Sequence, residues 1–258
     1  MGRFKEQLKW ELEDPYVALI FVFSFLLLAV TFYTNLFDID TNVMTMGLGT
    51  AREHAAAGTA MLFPGLSDKS TAIFAITGVL LTSLAIRYDR DTGVAKSVYS
   101  LPLRNYKVVL AKFIAVFVVL FLSAFSAALV AYLYSYGDSP TMIKEGMLGQ
   151  RYLLIHILYW LEAALYVSSL SSMIAVLSPG TFAAILGGIT VMYVPEILGW
   201  DFLPPRILND GLIKAHAVFW DPWEKLGIFF NTTFYPCLLL PLVVLSLTLV
   251  LSEWRDVS

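Results

Sequence analysis

Six apolar runs alternate with polar stretches along the 258-residue chain, at residues 16–34, 71–86, 108–134, 152–177, 181–200 and 234–252. Each approaches the roughly 20 residues that a helix needs to cross a bilayer, and the first contains no charge. This pattern predicts an all-α membrane protein: six transmembrane helices forming a single domain over residues 1–258.

The polar stretches differ in kind. Ahead of the first run, Met1, Phe4, Leu8 and Leu12 fall in one narrow helical stripe, with Lys5, Glu6, Lys9 and Glu13 turned elsewhere. That describes a helix over 1–14 lying in the membrane interface, and its four acids argue against a removable signal peptide. Residues 35–70 and 137–151 read as polar outer loops. Ser178, Pro179 and Gly180 leave room only for a tight turn, so the fourth and fifth runs form a helical hairpin. Residues 201–230 are too charged to cross and too long for a simple turn. Within them Leu208, Leu212, Ala215 and Phe219 share a helix face, and Trp200, Phe202, Trp220 and Trp223 suit the headgroup region. Pro236 and Pro241 predict a kink in the outer half of the last run.

Charge sets the orientation. Residues 87–112 hold six of the seventeen Lys and Arg residues, namely Arg87, Arg90, Lys96, Arg104, Lys107 and Lys112. Short loops rich in Lys and Arg stay on the cytoplasmic side. Counting outward from there puts both termini in the cytoplasm of a multi-pass cell-membrane protein, with ten cations in short inner segments and seven spread over longer outer ones. Inside this loop, Asp91 and Thr92 are candidate N-caps. Val94, Val98 and Leu101 recur at helical spacing, and Pro102 stops the helix.

The order of residues in that loop is Asp89, Arg90, Asp91, Gly93, then Ser100, Leu101, Pro102, a basic cluster, and Lys112 opening the next span. It resembles the cytosolic loop of the membrane (permease) subunits of ABC type-2 transporters, although Lys96 and Ala111 stand where that family commonly has an acid and a glycine. The resemblance implies that residues 87–107 form a coupling loop docking on a separate ABC ATPase subunit through Asp91, Gly93, Val94, Val98, Leu101 and Pro102. It implies that 1–14 is an elbow helix and that 201–230 holds re-entrant helices closing the outer end of the path. It also implies a second permease copy, as a homodimer or close heterodimer, and export driven by ATP and Mg on the partner subunit.

Composition agrees with a membrane protein and narrows the chemistry. The chain is 58% hydrophobic and 14% charged, with a mean hydropathy of +0.73, more apolar and less charged than soluble domains. No basic stripe points to nucleic acid. The single cysteine, Cys237, excludes an intrachain disulfide and a multi-cysteine metal site. The GxxxxGK[ST] phosphate loop is absent, so the chain is not expected to hydrolyse ATP. No catalytic, cofactor or metal-binding residue is assigned, and the expected partner besides protein is membrane lipid.

The candidate translocation-path residues are Thr77, Glu162, Gly187, Gly188 and Glu196. Glu162 lies near mid-membrane, where an ionisable group is costly and usually faces a partner or an aqueous path. A structural, hydrogen-bonded carboxyl and a substrate or proton path both satisfy that requirement. The alternative to an ATP-driven exporter is a proton-linked secondary transporter using Glu162, His156 and Glu196.

Overall fold

A computed structural model describes residues 2–44, 68–88, 91–92, 104–138, 140, 142–149, 151–200, 203–217 and 221–254. Among them the chain is helical, with no strand. Five helical stretches are long and apolar enough to cross a membrane: Pro15–Leu36, Lys69–Tyr88, Asn105–Tyr136, Tyr152–Leu177 and Pro222–Trp254. A shorter apolar helix spans Thr181–Val194.

In chain order the helices are α1 (Gly2–Glu13), α2 (Pro15–Met44), α3 (Asp68–Thr82, continued by a π-helical segment Ser83–Tyr88), α4 (Asn105–Tyr136), a π-helical segment Met142–Gly149, α5 (Tyr152–Leu177), α6 (Thr181–Ile197), α7 (Pro204–Ala217), α8 (Pro222–Thr233) and, after a π-helical segment Phe234–Leu239, α9 (Leu240–Trp254). Three boundaries differ from expectation. α2 runs ten residues past the predicted end at 34, because no Gly or Pro interrupts the chain before Gly47. α6 stops three residues short of 200, where Gly199 turns to φ 67°, the left-handed conformation that ends helices. The last long helix begins at Pro222 rather than 234. There the Asp221 side chain accepts hydrogen bonds from the Trp223 and Glu224 amides and Pro222 occupies the first turn. Pro236 falls in the π-helical segment, whose wider turn accommodates a residue without an N–H. The coupling helix predicted over 91–101, with Gly93, Val94, Val98, Leu101 and Pro102, lies outside the described residues beyond Asp91 and Thr92.

Side-chain contacts sort the helix ends into two poles. At one, Lys112 of α4 binds Glu11 of α1 (3.1 Å) and the Ala85 carbonyl (2.6 Å). The Tyr106 amide donates to Glu253 at the end of α9 (3.0 Å), and Asp91 accepts from Thr181 at the start of α6 (2.6 Å). At the other pole Tyr33 meets Tyr134 edge-on at 5.5 Å. There too the Arg151 guanidinium lies 4.4 Å from the Trp223 ring and Lys225 donates to the Tyr152 hydroxyl.

α5 is the central helix. Of its apolar window 67% is buried, against 17% for α2, whose Leu19, Phe23 and Val30 face outward. Trp160 anchors it, with Phe32 of α2 at 5.6 Å and Phe74 of α3 at 5.2 Å.

Candidate functional site

A helix buried on all sides would ordinarily be apolar all round, yet α5 buries His156, Tyr159, Trp160, Glu162, Tyr166, Ser168, Ser169, Ser171 and Ser172. Ser168 returns its hydroxyl to the Ala164 carbonyl, four residues back. Six other buried polar atoms on this helix have no hydrogen-bond partner among the described residues: His156 Nε2, Trp160 Nε1, Glu162 Oε2 and the hydroxyls of Ser169, Ser171 and Ser172. Leaving such groups bare in an apolar interior is costly. Their concentration on one helix makes α5 the candidate site of the bundle.

Glu162, only 1% exposed, sits at the centre of a cluster drawn from three elements. Thr233, at the end of α8, and Cys237 lie near its carboxyl, the Thr233 hydroxyl donating to the Phe229 carbonyl at 3.1 Å. The Cys237 thiol in turn points to the Pro204 carbonyl at 3.7 Å, while the Tyr159 hydroxyl donates to Asn209 of α7 at 3.2 Å. Pro204 therefore lies opposite Cys237, whereas Gly211 lies against Phe229 and Thr233. Rising numbers along α7 meet falling numbers along α8, so the two are antiparallel and α7 begins beside the middle of the 222–254 helix. Two prolines at that beginning, Pro204 and Pro205, remove two of the amide donors that a helix start would leave unsatisfied in an apolar setting.

Where α3, α5, α6 and α7 meet, a cavity of about 50 Å³ is lined by Phe74, Tyr159, Trp160, Tyr166, Tyr193 and Asn209. That is enough for a few waters, each needing about 10–15 Å³ on this measure. His156 stands apart from it, packed between Phe125 (5.6 Å) and Trp160 (6.1 Å).

The expected path residues are not gathered around this cavity. Thr77 is buried and bonds to the Ile73 carbonyl at 2.7 Å. Gly187 approaches Ile174, and Gly188 approaches Val79, so both serve close helix contact. Glu196 falls in the last turn of α6, its side chain outside the described residues. Tyr159 and Tyr166 were absent from the expectation. Their spacing of three and four residues from Glu162 puts all three on one helix face, a signal the sequence does carry.

A second constellation joins the loop after α3 to the turn before α6. One carboxylate oxygen of Asp91 accepts from both the amide and the hydroxyl of Thr181, each at 2.6 Å. The other accepts from Arg87 Nε at 3.1 Å, and the same guanidinium donates to the Pro179 carbonyl. Asp91 thus caps the N-terminus of α6 from a different segment, where a negative charge suits the helix dipole. The Thr181 hydroxyl, then the Thr181 amide and the Arg87 charge, hold the Asp91 carboxyl below its ordinary value against the opposing effect of burial. A depressed carboxyl contributes stability that is present above the unfolded value of 3.8 and is lost as pH falls through the lower folded value. Asp91→Ala is expected to speed hydrogen exchange of the Thr181 amide by about fivefold at neutral pH, consistent with a cap worth about 1 kcal/mol. Wild type should show that loss only below about pH 4.

Comparison of the chain with family models, curated proteins and solved structures finds no match.

Proposed function

We propose that this chain is the membrane-spanning permease subunit of an ATP-driven exporter. Six helices, α6 included, cross the membrane, both termini and the 87–112 loop lie in the cytoplasm, and separate ATPase subunits supply the work. The observation that carries this reading is the Arg87–Asp91–Thr181 latch. A force applied to the loop beyond Asp91 would reach the start of α6 as well as the end of α3, and these helices touch again where Gly188 meets Val79. They would move as a pair relative to α5. Support for six crossings comes from the poles. α6 starts at the pole of Asp91, while Met192 and Tyr193 lie beside Tyr159 and Asn209 on the way to the other. Its 17 residues span about 25 Å. α7 and α8 would be the re-entrant pair closing the outer end, and a second copy would complete the pathway. ATP and Mg belong to the partner.

The test is export by the chain with its ATPase subunits in vesicles. Substituting Asp at Val94, Val98 or Leu101 is expected to lower substrate flux by at least about tenfold, the effect of losing roughly 1.4 kcal/mol at an interface, while membrane insertion stays normal. Normal flux in these variants would end the docking assignment.

A second reading, a proton-linked carrier, is favoured by Glu162 itself, a buried carboxyl with one oxygen unpartnered among the described residues. It predicts that Glu162→Gln abolishes pH-dependent flux without any ATPase present. The same variant in the exporter reading leaves ATP-dependent flux independent of an imposed pH gradient.

A further inference from the structure

The small cavity between α3, α5, α6 and α7 is walled by the rings of Phe74, Tyr159, Trp160, Tyr166 and Tyr193, and no Asp, Glu, Lys or Arg lines it among the described residues. Phe74 lies 5.2 Å from Trp160 at 58°, and Tyr159 lies 5.0 Å from it at 90°. These rings stand as adjoining walls, not as a stack. The volume of about 50 Å³ gives room for about three to five non-hydrogen atoms, at the 10–15 Å³ that one water needs. Thr71, also in the wall, is two residues after Lys69, where the α3 span begins, and Tyr193 is four residues before Ile197, where α6 ends. The cavity therefore lies within about 6 Å of both helix ends, toward the pole of Tyr33 and Tyr134, and a water-soluble ligand has a short way to it.

Glu162, only 1% exposed, stands behind this wall. Tyr159 is three residues before it and Tyr166 four after, on the same helix face, a spacing that brings Cβ atoms within about 5–6 Å. Ala163, next to Glu162, lines the cavity as well. One carboxyl oxygen has no hydrogen-bond partner, and no Lys or Arg forms an ion pair with it, among the described residues. A buried carboxylate without a counter-charge is costly. Aromatic rings attract a cation through their quadrupole, most strongly where water is excluded. Both features call for a positive charge that the described residues do not supply. A neutral polar ligand would draw on the hydrogen-bonding groups of the wall, where the Asn209 side-chain oxygen already accepts from the Tyr159 hydroxyl. An apolar ligand would leave the carboxylate as it is.

We propose that this cavity binds a small organic ammonium ion, a head the size of tetramethylammonium held against the rings of Phe74, Tyr159, Trp160, Tyr166 and Tyr193, with the Glu162 carboxylate as its counter-charge. The site stands without the export reading, since binding requires no ATPase.

The experiment uses the full chain in maltoside micelles, free of choline lipids, with radiolabelled tetramethylammonium as probe and equilibrium dialysis as readout. Binding is expected to saturate, and to be displaced by unlabelled tetramethylammonium but not by the same concentration of tert-butanol, its neutral counterpart of equal heavy-atom count. Tyr166→Leu and Phe74→Leu remove a ring from opposite helices and keep an apolar wall; each should weaken binding by at least about fivefold, the loss of one desolvated cation–π contact. Should one of them fail to fold, the other carries the test. Tyr166→Phe restores the ring and should recover most of what Tyr166→Leu loses. Glu162→Gln keeps the shape, removes the charge and should weaken binding by at least about fivefold. Absence of saturable binding, which would leave the cavity to water, equal displacement by tert-butanol, unchanged affinity in the leucine variants, or unchanged affinity in Glu162→Gln would each overturn the proposal. None of these results bears on whether an ATPase docks, which the flux experiment decides separately.

Discussion

Lys112→Met is expected to destabilise the protein by about 3–5 kcal/mol, the cost of removing one member of a buried ion pair and leaving the other. Lys112 is 1% exposed, and its ammonium reaches Glu11 Oε1 at 3.1 Å, Glu11 Oε2 at 3.2 Å and the Ala85 carbonyl at 2.6 Å. One cation therefore joins α1, the π-helical end of α3 and the first third of α4. Glu11 is itself braced by Gln7, whose amide donates to Oε1 at 2.6 Å and which is 4% exposed. Deleting the ammonium takes one shared donor from the Glu11 carboxylate and the Ala85 carbonyl. Adding Glu11→Leu should recover more than half of the loss, because an apolar pair in place of a buried ion pair is often close to neutral. The measurement is reversible unfolding in mixed micelles followed by tryptophan fluorescence. A single variant that unfolds at the wild-type midpoint would show that α1 is held by something else.

Lys112 also shows how unevenly the sequence discloses its structure. In the sequence it is one of six cations that orient the loop, a use that requires no knowledge of its partner. Its pairing with Glu11 joins residues far apart in the chain, and no local pattern encodes that. α5 is the opposite case. Arg151 before it and Ser178-Pro179-Gly180 after it delimit an apolar run, and the helix fills the predicted 152–177. Where breakers are missing, the predicted ends fail, as in the extension of α2 to Met44. Pro236, expected to kink the last span near its start, lies in a π-helical segment of a helical path that begins earlier, at Pro222.

The candidate site follows the same rule. Glu162 is visible because a lone acid in an apolar run stands out. Thr233, Cys237 and Asn209 do not stand out, since each is unremarkable in its own segment and acquires meaning only when α7 and α8 fold back onto α5. Ser169, in the same apolar run as Glu162, does not stand out either, and its hydroxyl finds no partner among the described residues.

Gly78→Leu is expected to cost at least about 3 kcal/mol, at the top of the range for overfilling a packed core. A Cβ at Gly78 would overlap Val167 Cγ1 of α5 and stand 3.0 Å from Leu120 Cδ1 of α4, so the glycine is the point where α3, α4 and α5 close on one another. Gly78→Ala sets two effects against each other. Alanine favours a helix by about 0.8–1 kcal/mol over glycine, while the overlap opposes it by about 1–3 kcal/mol. The overlap wins, because the obstructing methyl belongs to a β-branched valine with little rotameric freedom. The net loss is expected at about 1–2 kcal/mol. Gly227→Ala in α8 supplies the control, for nothing lies within 4 Å of its added Cβ; there the helix-propensity gain should appear alone, as a stabilisation of up to about 1 kcal/mol. Shortening the opposing side chain separates packing from backbone: Gly78→Ala combined with Val167→Ala should show a favourable coupling of about 1 kcal/mol or more relative to the sum of the single changes. Additive effects in that cycle would mean that α3 and α5 do not meet at Gly78, and the mechanical link from the Asp91 latch through α3 to the polar face of α5 would lose its fulcrum.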